Sequence, residues 1–208
     1  MQMLKHLTKT DLLKGVDELA QVDQGFAWII SQYGPPPLWK RPQGFPTLIH
    51  IILEQQVSLA SAQAVYNRLI ERLATVTPSH FLSLSDHELK KIGFSRQKTR
   101  YCRELAHALL SGSIELASLN QLPDQEVRQR LMQIKGIGPW TADIYLAVGL
   151  GRPDIWPDGD LALALAIKQL KNLPRRPSSK QMRRMSLQWK PWRSVAARLL
   201  WHYYLSEK

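Results

Sequence analysis

Residues 131–143 have the sequence LMQIKGIGPWTAD, and this stretch decides the fold. Gly136 and Gly138 flank one apolar residue between two segments of helical periodicity, which predicts a tight hairpin whose backbone can approach a ligand closely. Pro139 suits the first turn of the second helix. The unpaired N–H groups and the positive dipole end of that helix then face outward. They form a ready site for a phosphate oxygen.

Helical periodicity extends along nearly the whole chain, and no strand alternation interrupts it. Two N-terminal helices are expected at about residues 12–20 and 22–32, before the sequence GPPP at 34–37 breaks the pattern. Residues 46–74 predict one long helix or two abutting helices, interrupted near 54–58. A capping box, formed by Ser85 and Glu88, predicts a short helix ending at Gly93. These patterns indicate an all-α fold.

The C-terminal half continues in the same way. Ser95 is expected to cap a helix running to about residue 111, and Asp124 to cap the helix before the hairpin. The helix after the hairpin is expected to reach Leu150. Another helix is predicted at 161–170, then a basic linker at 174–179 and two last helices from about Lys180 and Pro191.

The net charge of +11 points to a polyanionic partner, with nucleic acid as the first candidate. Between residues 161 and 206 there is no Asp or Glu, whereas ten Lys and Arg residues lie there. A solvated, solubilising surface is the alternative interpretation. A membrane surface is a weaker candidate because no long apolar stripe opposes the basic residues.

Cys102 is the only cysteine, which excludes an intramolecular disulfide and a four-cysteine iron–sulfur cluster. We expect it to be a buried small hydrophobic residue in a reducing compartment. The six histidines show no metal-ligand spacing. No apolar run approaches 18 residues, so no transmembrane helix is expected. The predicted location is cytoplasmic, at the nucleoid, or nuclear in a eukaryote.

Asp160 follows Trp140 by twenty residues, within the sequence WPDGDL at 156–161. At this point the chain closely resembles the helix-hairpin-helix superfamily of DNA glycosylases, and within it the alkylpurine branch of the 3-methyladenine DNA glycosylase II type. The resemblance covers about residues 45–203. It is carried by LEQQVS at 53–58, KGIGPWTAD at 135–143, IWPDGDL at 155–161, WKPWRSVA at 189–196 and LW at 200–201.

The resemblance implies a single glycosylase domain of two helical lobes with a cleft between them. Residues 45–160 would form one lobe, and residues 1–44 with 161–208 the other. The implied reaction is hydrolysis of the N-glycosidic bond of alkylated purines, such as 3-methyladenine and 7-methylguanine, in double-stranded DNA. We expect a monomer that requires no cofactor and does not bind membranes.

Asp160 matches the catalytic aspartate of this superfamily, although its position also suits a plain helix N-cap. Trp140 occupies the position where Schiff-base-forming members carry lysine, so lyase activity is not expected. Trp140 and Trp201 match base-pocket aromatics, with a core packing role as the alternative for each. Asp158 competes with Asp160 for the catalytic role, but the spacing from the hairpin favours Asp160.

Other residues are implied to contact DNA or an ion. Gln56 would enter the gap left by a flipped base. The hairpin carbonyls of Met132, Ile134 and Gly136 would bind a monovalent cation, Na⁺ or K⁺. The full set of predicted DNA contacts is Gln55, Gln56, Gly136, Gly138 and Thr141, with Arg183 and Arg184 added from the basic C-terminal segment.

Alkylation at a ring nitrogen leaves a purine cationic, and a cation is attracted to the face of an indole ring. Such a base is already a good leaving group. One carboxylate that stabilises charge on the sugar and orients water is then sufficient. Two alternatives stay open: a glycosylase of the same fold for deaminated bases such as hypoxanthine or uracil, and a non-enzymatic helix-hairpin-helix DNA-binding protein.

Overall fold

A computed structural model describes residues 6–207, and this part of the chain is all-α, as predicted, with twelve α-helices and no strand. None of the described helices combines the length and apolar character needed to cross a bilayer. In chain order the helices are α1 (Lys9–Val22), α2 (Gln24–Tyr33), α3 (Phe45–Glu54), α4 (Leu59–Leu73), α5 (Pro78–Ser83), α6 (Asp86–Ile92), α7 (Arg96–Leu110), α8 (Asp124–Met132), α9 (Pro139–Ile144), α10 (Leu161–Leu170), α11 (Ser179–Ser186) and α12 (Arg193–Ser206).

The chain divides into two compact units. The central unit is Arg41–Tyr145 and contains α3 to α9. The terminal unit combines residues 6–40 with residues 146–207, and therefore contains α1, α2 and α10 to α12. In the central unit the buried apolar side chains of α3, such as Leu48 and Ile52, form part of the core. The terminal core includes Trp189, whose ring packs against Phe26 at 5.1 Å and Trp156 at 5.3 Å between ring centroids.

The unit boundary differs from the lobe boundary that the sequence suggested near Asp160, because residues 146–160 belong to the terminal unit. Hydrogen bonds to α12 hold this segment. The Ser194 hydroxyl donates to the Arg152 carbonyl at 2.6 Å and accepts from the Ile155 N–H at 3.0 Å. The Arg193 guanidinium binds the Asp154 carboxylate at 2.7 and 2.9 Å. Asp160 consequently shares a unit with α12.

Local capping chemistry accounts for most helix ends. The capping box of Ser85 and Glu88 opens α6, and Gly93 ends it in the left-handed conformation, with φ of +111°. The Ser95 side chain caps α7. The expectation that Asp124 caps α8 is wrong, because Pro123 occupies the N-cap position and Asp124 is the first helical residue. There its charge still complements the helix dipole.

The predicted interruption of the long helix lies between α3 and α4, at residues 55–58. The Ser58 hydroxyl accepts from the Ser61 N–H at 3.2 Å and thereby caps α4. The helix after the hairpin reaches nearly as far as predicted, since a π-helical turn at Tyr145–Gly149 continues α9. The sequence pattern missed two short elements, α5 and a 3₁₀ turn at Ala117–Gln121.

Two buried side chains stand out for their chemistry. Cys102 on α7 is a free thiol with no exposed surface, and burial strongly raises its pKa. Arg198 on α12 is 1% exposed, and burial lowers its pKa to about 10. Its guanidinium donates to the carbonyls of Leu38, Ser194 and Ala147 at 2.8, 2.9 and 2.9 Å. Carbonyl dipoles therefore surround this cation, rather than the nucleic acid or the solvent that the sequence suggested for the basic segment.

Candidate active site

The hairpin between α8 and α9 uses its two glycines for different reasons. Gly136 has a φ of +98°, and a Cβ added there would lie 2.2 Å from the ring of Tyr101. Gly138 has an ordinary extended backbone, and a Cβ there would meet no heavy atom within 4 Å. The fold itself therefore requires glycine at 136 but not at 138. At Gly138 the exposed backbone at the start of α9 is open to an external group.

The hairpin carbonyls keep acceptor capacity. The Ile134 oxygen accepts from the Ile137 N–H at 3.1 Å, and the Gly136 oxygen accepts from the Gln55 amide at 3.0 Å. Because a carbonyl oxygen has two lone pairs, a second interaction is available at each. The described residues contain no cluster of three or more His, Cys, Asp or Glu side chains arranged to hold a metal ion.

Gln55 is committed to the hairpin. Its Nε2 donates to the Gly136 carbonyl at 3.0 Å and to Thr141 Oγ1 at 2.9 Å. Thr141 is 2% exposed. The side chains of Gln55 and Thr141 bind each other, and Gln55 also binds the hairpin, within the central unit; the contact of both residues with DNA, expected from the sequence, stays a prediction. The sequence did not indicate these contacts, because they depend on packing between segments that are far apart in the chain.

Gln56 differs sharply from its neighbour. It is exposed and has a φ of +58°, which is uncommon for a residue with a side chain. The following apolar residues are exposed as well, Val57 by 45% and Leu59 by 54%. We call residues 55–58 the α3–α4 loop. The exposed Gln56 is accessible to a partner molecule, and its entry into a duplex stays a prediction.

The side chains of Lys98, Arg41 and Glu54 hold the end of α3 from which this loop begins, and no sequence motif indicated these contacts. Lys98 Nζ donates to the Leu53 carbonyl at 2.6 Å, and burial lowers the pKa of this amine. Arg41 binds both oxygens of the Glu54 carboxylate, at 3.2 and 2.5 Å. The only sequence signal was that the final carbonyls of a helix need donors.

Asp160 performs the capping role, and its catalytic role stays a prediction. It is 6% exposed and directly precedes α10, where its Oδ1 accepts from the Leu163 N–H at 2.9 Å. The half-buried Trp201 of α12 directs its indole N–H to the same oxygen at 3.4 Å. The structure thus brings together these two predicted site residues, which are far apart in sequence. The N–H donors of Leu163 and Trp201 fix the orientation of the Asp160 carboxylate.

Asp158, the competing carboxylate, has a different environment. Its Oδ2 lies 3.5 Å from Nε of Arg183, and the Arg183 side chain is 63% exposed. Asp158 therefore interacts with a basic residue of α11, whereas Asp160 is held by N–H donors at a helix start. This contrast favours Asp160 as the functional carboxylate.

Trp140 is the second residue of α9, in the central unit, and is half-buried. Thr141, Ala142 and Asp143, which follow it, are all buried. The Asp143 carboxylate binds the Arg128 guanidinium at 2.7 and 2.5 Å, which ties α9 to α8. Trp140 is therefore placed on a rigid element next to the hairpin, and its role in a base pocket stays a prediction.

The basic C-terminal segment divides into buried and exposed residues. Arg198 is buried, Arg193 binds Asp154, and Lys171 binds Asp23 at 3.0 Å. These three residues serve the fold. The exposed basic residues of the segment are Lys168, Arg175, Arg176, Lys180, Arg183, Arg184 and Lys190.

Comparisons with known proteins agree with this arrangement. The family "HhH-GPD superfamily base excision DNA repair protein" matches residues 49–192. DNA-3-methyladenine glycosylase 1 of Schizosaccharomyces pombe is 28% identical over 205 residues, which cover 96% of this chain and 89% of that protein. A putative DNA-3-methyladenine glycosylase of Bacillus subtilis is 28% identical over 181 residues, and there the match covers 83% of this chain but 63% of the relative.

Solved structures give the same result. The structure of the 3-methyladenine DNA glycosylase of S. pombe in complex with abasic DNA has a TM-score of 0.83 at 27% identity, covering 90% of this chain and 95% of that one. A DNA-3-methyladenine glycosidase from Bacillus halodurans has a TM-score of 0.74 at 28% identity, covering 98% and 95%.

Proposed function

The chain belongs to the HhH-GPD superfamily of base excision DNA repair proteins, and from this premise we propose that it hydrolyses the N-glycosidic bond of alkylated purines in double-stranded DNA. The relatives named as 3-methyladenine glycosylases support the substrate class. The observation that carries the proposal is the Asp160 carboxylate, held by the Leu163 N–H and the Trp201 indole N–H at the start of α10.

The proposed reaction does not depend on a general acid. A purine alkylated at N3 or N7 is cationic, so it leaves as a neutral base without prior protonation. Positive charge develops instead on the sugar, where a fixed carboxylate stabilises it and orients the attacking water. Because Asp160 is oriented before substrate binds, its reorganisation costs little during the reaction. The products are a free purine and an abasic site.

Recognition of the cationic base rests on aromatic faces. Trp201 presents an indole whose N–H is directed at Asp160, so its ring is fixed beside the carboxylate. An indole face attracts a cation most strongly when both are desolvated. The resemblance to the glycosylase family implies a similar role for Trp140.

The absence of lysine at position 140 leads us to propose simple hydrolysis without strand cleavage. A Schiff base requires an amine nucleophile, whereas the indole of Trp140 provides none. Borohydride should therefore trap no covalent adduct between protein and DNA, and the product strands should be intact. A trapped adduct would mean that a lysine elsewhere in the chain is the nucleophile.

We propose that the hairpin can hold a monovalent cation. The carbonyls of Ile134 and Gly136 retain a lone pair each, and the Met132 carbonyl would complete the set. Such an ion would add positive charge beside the backbone that meets a phosphate. The hydrolysis itself is carried by Asp160 and needs no cofactor.

Release of bases from methylated duplex DNA, identified chromatographically, tests the proposal. We expect 3-methyladenine and 7-methylguanine to be released, in step with the appearance of abasic sites. Preferential release of hypoxanthine or uracil would assign the protein to deaminated bases. Tight DNA binding without release of any base would assign it to the non-enzymatic DNA-binding proteins.

We propose a monomer that acts where the chromosome lies, in the bacterial cytoplasm or a eukaryotic nucleus. Sedimentation with and without duplex DNA tests the monomer, which should bind as a single copy per lesion.

A further inference from the structure

We infer that Gln55 is a positioning residue, which fixes the exposed Gln56 relative to the hairpin so that phosphate binding and insertion into the duplex occur in register. The inference rests on the proposed function, because it concerns how the same protein engages its substrate. It replaces the expectation that Gln55 contacts DNA itself.

Both amide protons of Gln55 are used within the central unit. A glutamine amide carries two N–H donors, and here one binds the Gly136 carbonyl at 3.0 Å and the other binds Thr141 Oγ1 at 2.9 Å. Gly136 lies in the turn of the hairpin, and Thr141 lies in α9. One side chain therefore spans the turn and the helix that follows it.

The two acceptors are themselves rigidly placed. The ring of Tyr101 packs so closely on Gly136 that no other residue fits there. Thr141 is 2% exposed. Gln55 is thus joined to the part of the hairpin least able to move, immediately beside the exposed backbone of Gly138.

The α3–α4 loop is constrained from its other side as well. Lys98 binds the Leu53 carbonyl and Arg41 binds the Glu54 carboxylate, so the last residues of α3 are fixed. Gln56 then adopts a left-handed backbone, with φ of +58°. A residue with a side chain keeps such a conformation when its surroundings over-determine it. Gln55 supplies the constraint directly before it.

The consequence is a fixed spacing between two DNA-contacting parts of one unit. When the hairpin holds a backbone phosphate, the bridge from Gln55 sets where Gln56 enters the duplex. A displacement of about 1 Å in such a geometry lowers the rate by roughly 100-fold. We therefore expect loss of Gln55 to affect base excision much more than DNA affinity.

Gln55→Leu removes both donors while keeping the size of the side chain. Its single-turnover excision rate at saturating protein should fall about 100-fold, whereas its dissociation constant for abasic duplex should change by less than about fivefold. Gln63→Leu is the matched control. Gln63 is an exposed glutamine of α4 in the same unit, and its amide binds only the nearby Asn67.

Insertion can be measured without excision, in a duplex that carries an abasic site opposite 2-aminopurine. Wild-type protein and Gln63→Leu should change the fluorescence of that base, and Gln55→Leu should lose the change as fully as Gln56→Ala does. Thr141→Val should lose part of it, and Thr141→Ser, which keeps the hydroxyl acceptor, should recover it. A merely structural role for Gln55 would lower the melting temperature without separating the serine from the valine variant.

A normal fluorescence change in Gln55→Leu would overturn the inference, as would identical behaviour of the two Thr141 variants. A loss of affinity for abasic duplex as large as the loss of rate would mean that Gln55 contacts DNA directly. If the wild-type protein releases no alkylated purine, the proposed function fails, while the fluorescence measurement on abasic DNA still decides the role of Gln55.

Discussion

At the scale of the single residue, the Asp160 carboxylate caps α10 and is also the group to which we assign the proposed catalysis. Oδ1 receives the capping N–H of Leu163 as well as the Trp201 indole N–H, so the helix start that stabilises the fold also orients this carboxylate. The capping role and the catalytic role, posed by the sequence as alternatives, are therefore compatible at one residue.

Asp160→Asn should abolish base release and leave the fold intact. Asparagine caps helices about as well as aspartate, but it carries no charge to stabilise the transition state. The excision rate should fall on the order of 100-fold or more, with DNA binding preserved. Single-turnover release of 3-methyladenine measures this effect, and Asp158→Asn is the matched control. Near-normal excision by Asp160→Asn would move the catalytic assignment to Asp158.

Trp140→Leu should discriminate between cationic and neutral bases. Leucine retains apolar contact but lacks the negative ring face, a contribution of roughly 2 kcal/mol when desolvated, or about 30-fold in rate if fully expressed in the transition state. The cost of flipping the base is similar for both substrates and largely cancels. Excision of 3-methyladenine should therefore fall about 30-fold more than excision of hypoxanthine. Equal losses of excision rate for the two bases would mean that Trp140 packs against the base without recognising its charge.

At the scale of the element, the hairpin separates what the fold needs from what a ligand needs. Gly136→Ala places a methyl group 2.2 Å from the ring of Tyr101 at a φ of +98°, so it should destabilise the protein by several kcal/mol. Gly138→Ala meets no atom of the protein and should keep a wild-type unfolding midpoint. Urea denaturation of both variants measures the difference.

The Gly138→Ala variant also tests where the hairpin binds DNA. Because the Gly138 methyl group would occupy space that a phosphate approaches, Gly138→Ala should bind duplex DNA at least tenfold more weakly despite its normal stability. Unchanged affinity would show that the phosphate meets the hairpin elsewhere.

The exposed basic residues of α11 should contribute to the salt dependence of binding. Replacing Arg183 and Arg184 with Met should reduce the slope of log affinity against log salt concentration by about one unit per lost phosphate contact. Lys171→Met is the control, because Lys171 belongs to the same basic segment but binds Asp23 inside the unit. Its slope should stay at the wild-type value. An unchanged slope in the double variant would leave α11 a solvated face.

At the scale of the whole molecule, Arg198 connects segments that lie far apart in the chain. The chain leaves and re-enters the terminal unit after Lys40 and after Tyr145, and the acceptors Leu38 and Ala147 each lie two residues from one of these points. A single buried cation thus holds both connecting segments to α12.

Arg198→Met should be strongly destabilising. It removes the guanidinium donor from the buried carbonyls of Ser194 and Ala147 and from the half-buried carbonyl of Leu38, and a buried acceptor left without a donor costs about 1–3 kcal/mol. We expect the free energy of unfolding to fall by about 3 kcal/mol or more, measured by urea denaturation. Arg184→Met, at an exposed position, should stay within about 0.5 kcal/mol of wild type. A comparably small effect at Arg198 would mean that water replaces the guanidinium.

The sequence predicts well whatever local chemistry determines. The Ser85 capping box, the Gly93 helix end and the interruption before Ser58 follow from residues a few positions apart. It predicts poorly what depends on distant partners. In the sequence, Arg198 resembles every other arginine of the basic segment, because its burial depends on how α12 packs in the terminal unit. Gln55 likewise resembles any glutamine at a helix end. The placement of residues 146–160 depends in the same way on hydrogen bonds to Ser194.

The burial of Cys102 has a consequence for how this protein withstands methylating agents. Methylating agents that damage purines also attack sulfur, and the attack proceeds through the thiolate. The only cysteine of this chain has no exposed surface and a strongly raised pKa, so it offers no thiolate to such a reagent. A dose that alkylates the chromosome should therefore spare this thiol of the repair protein.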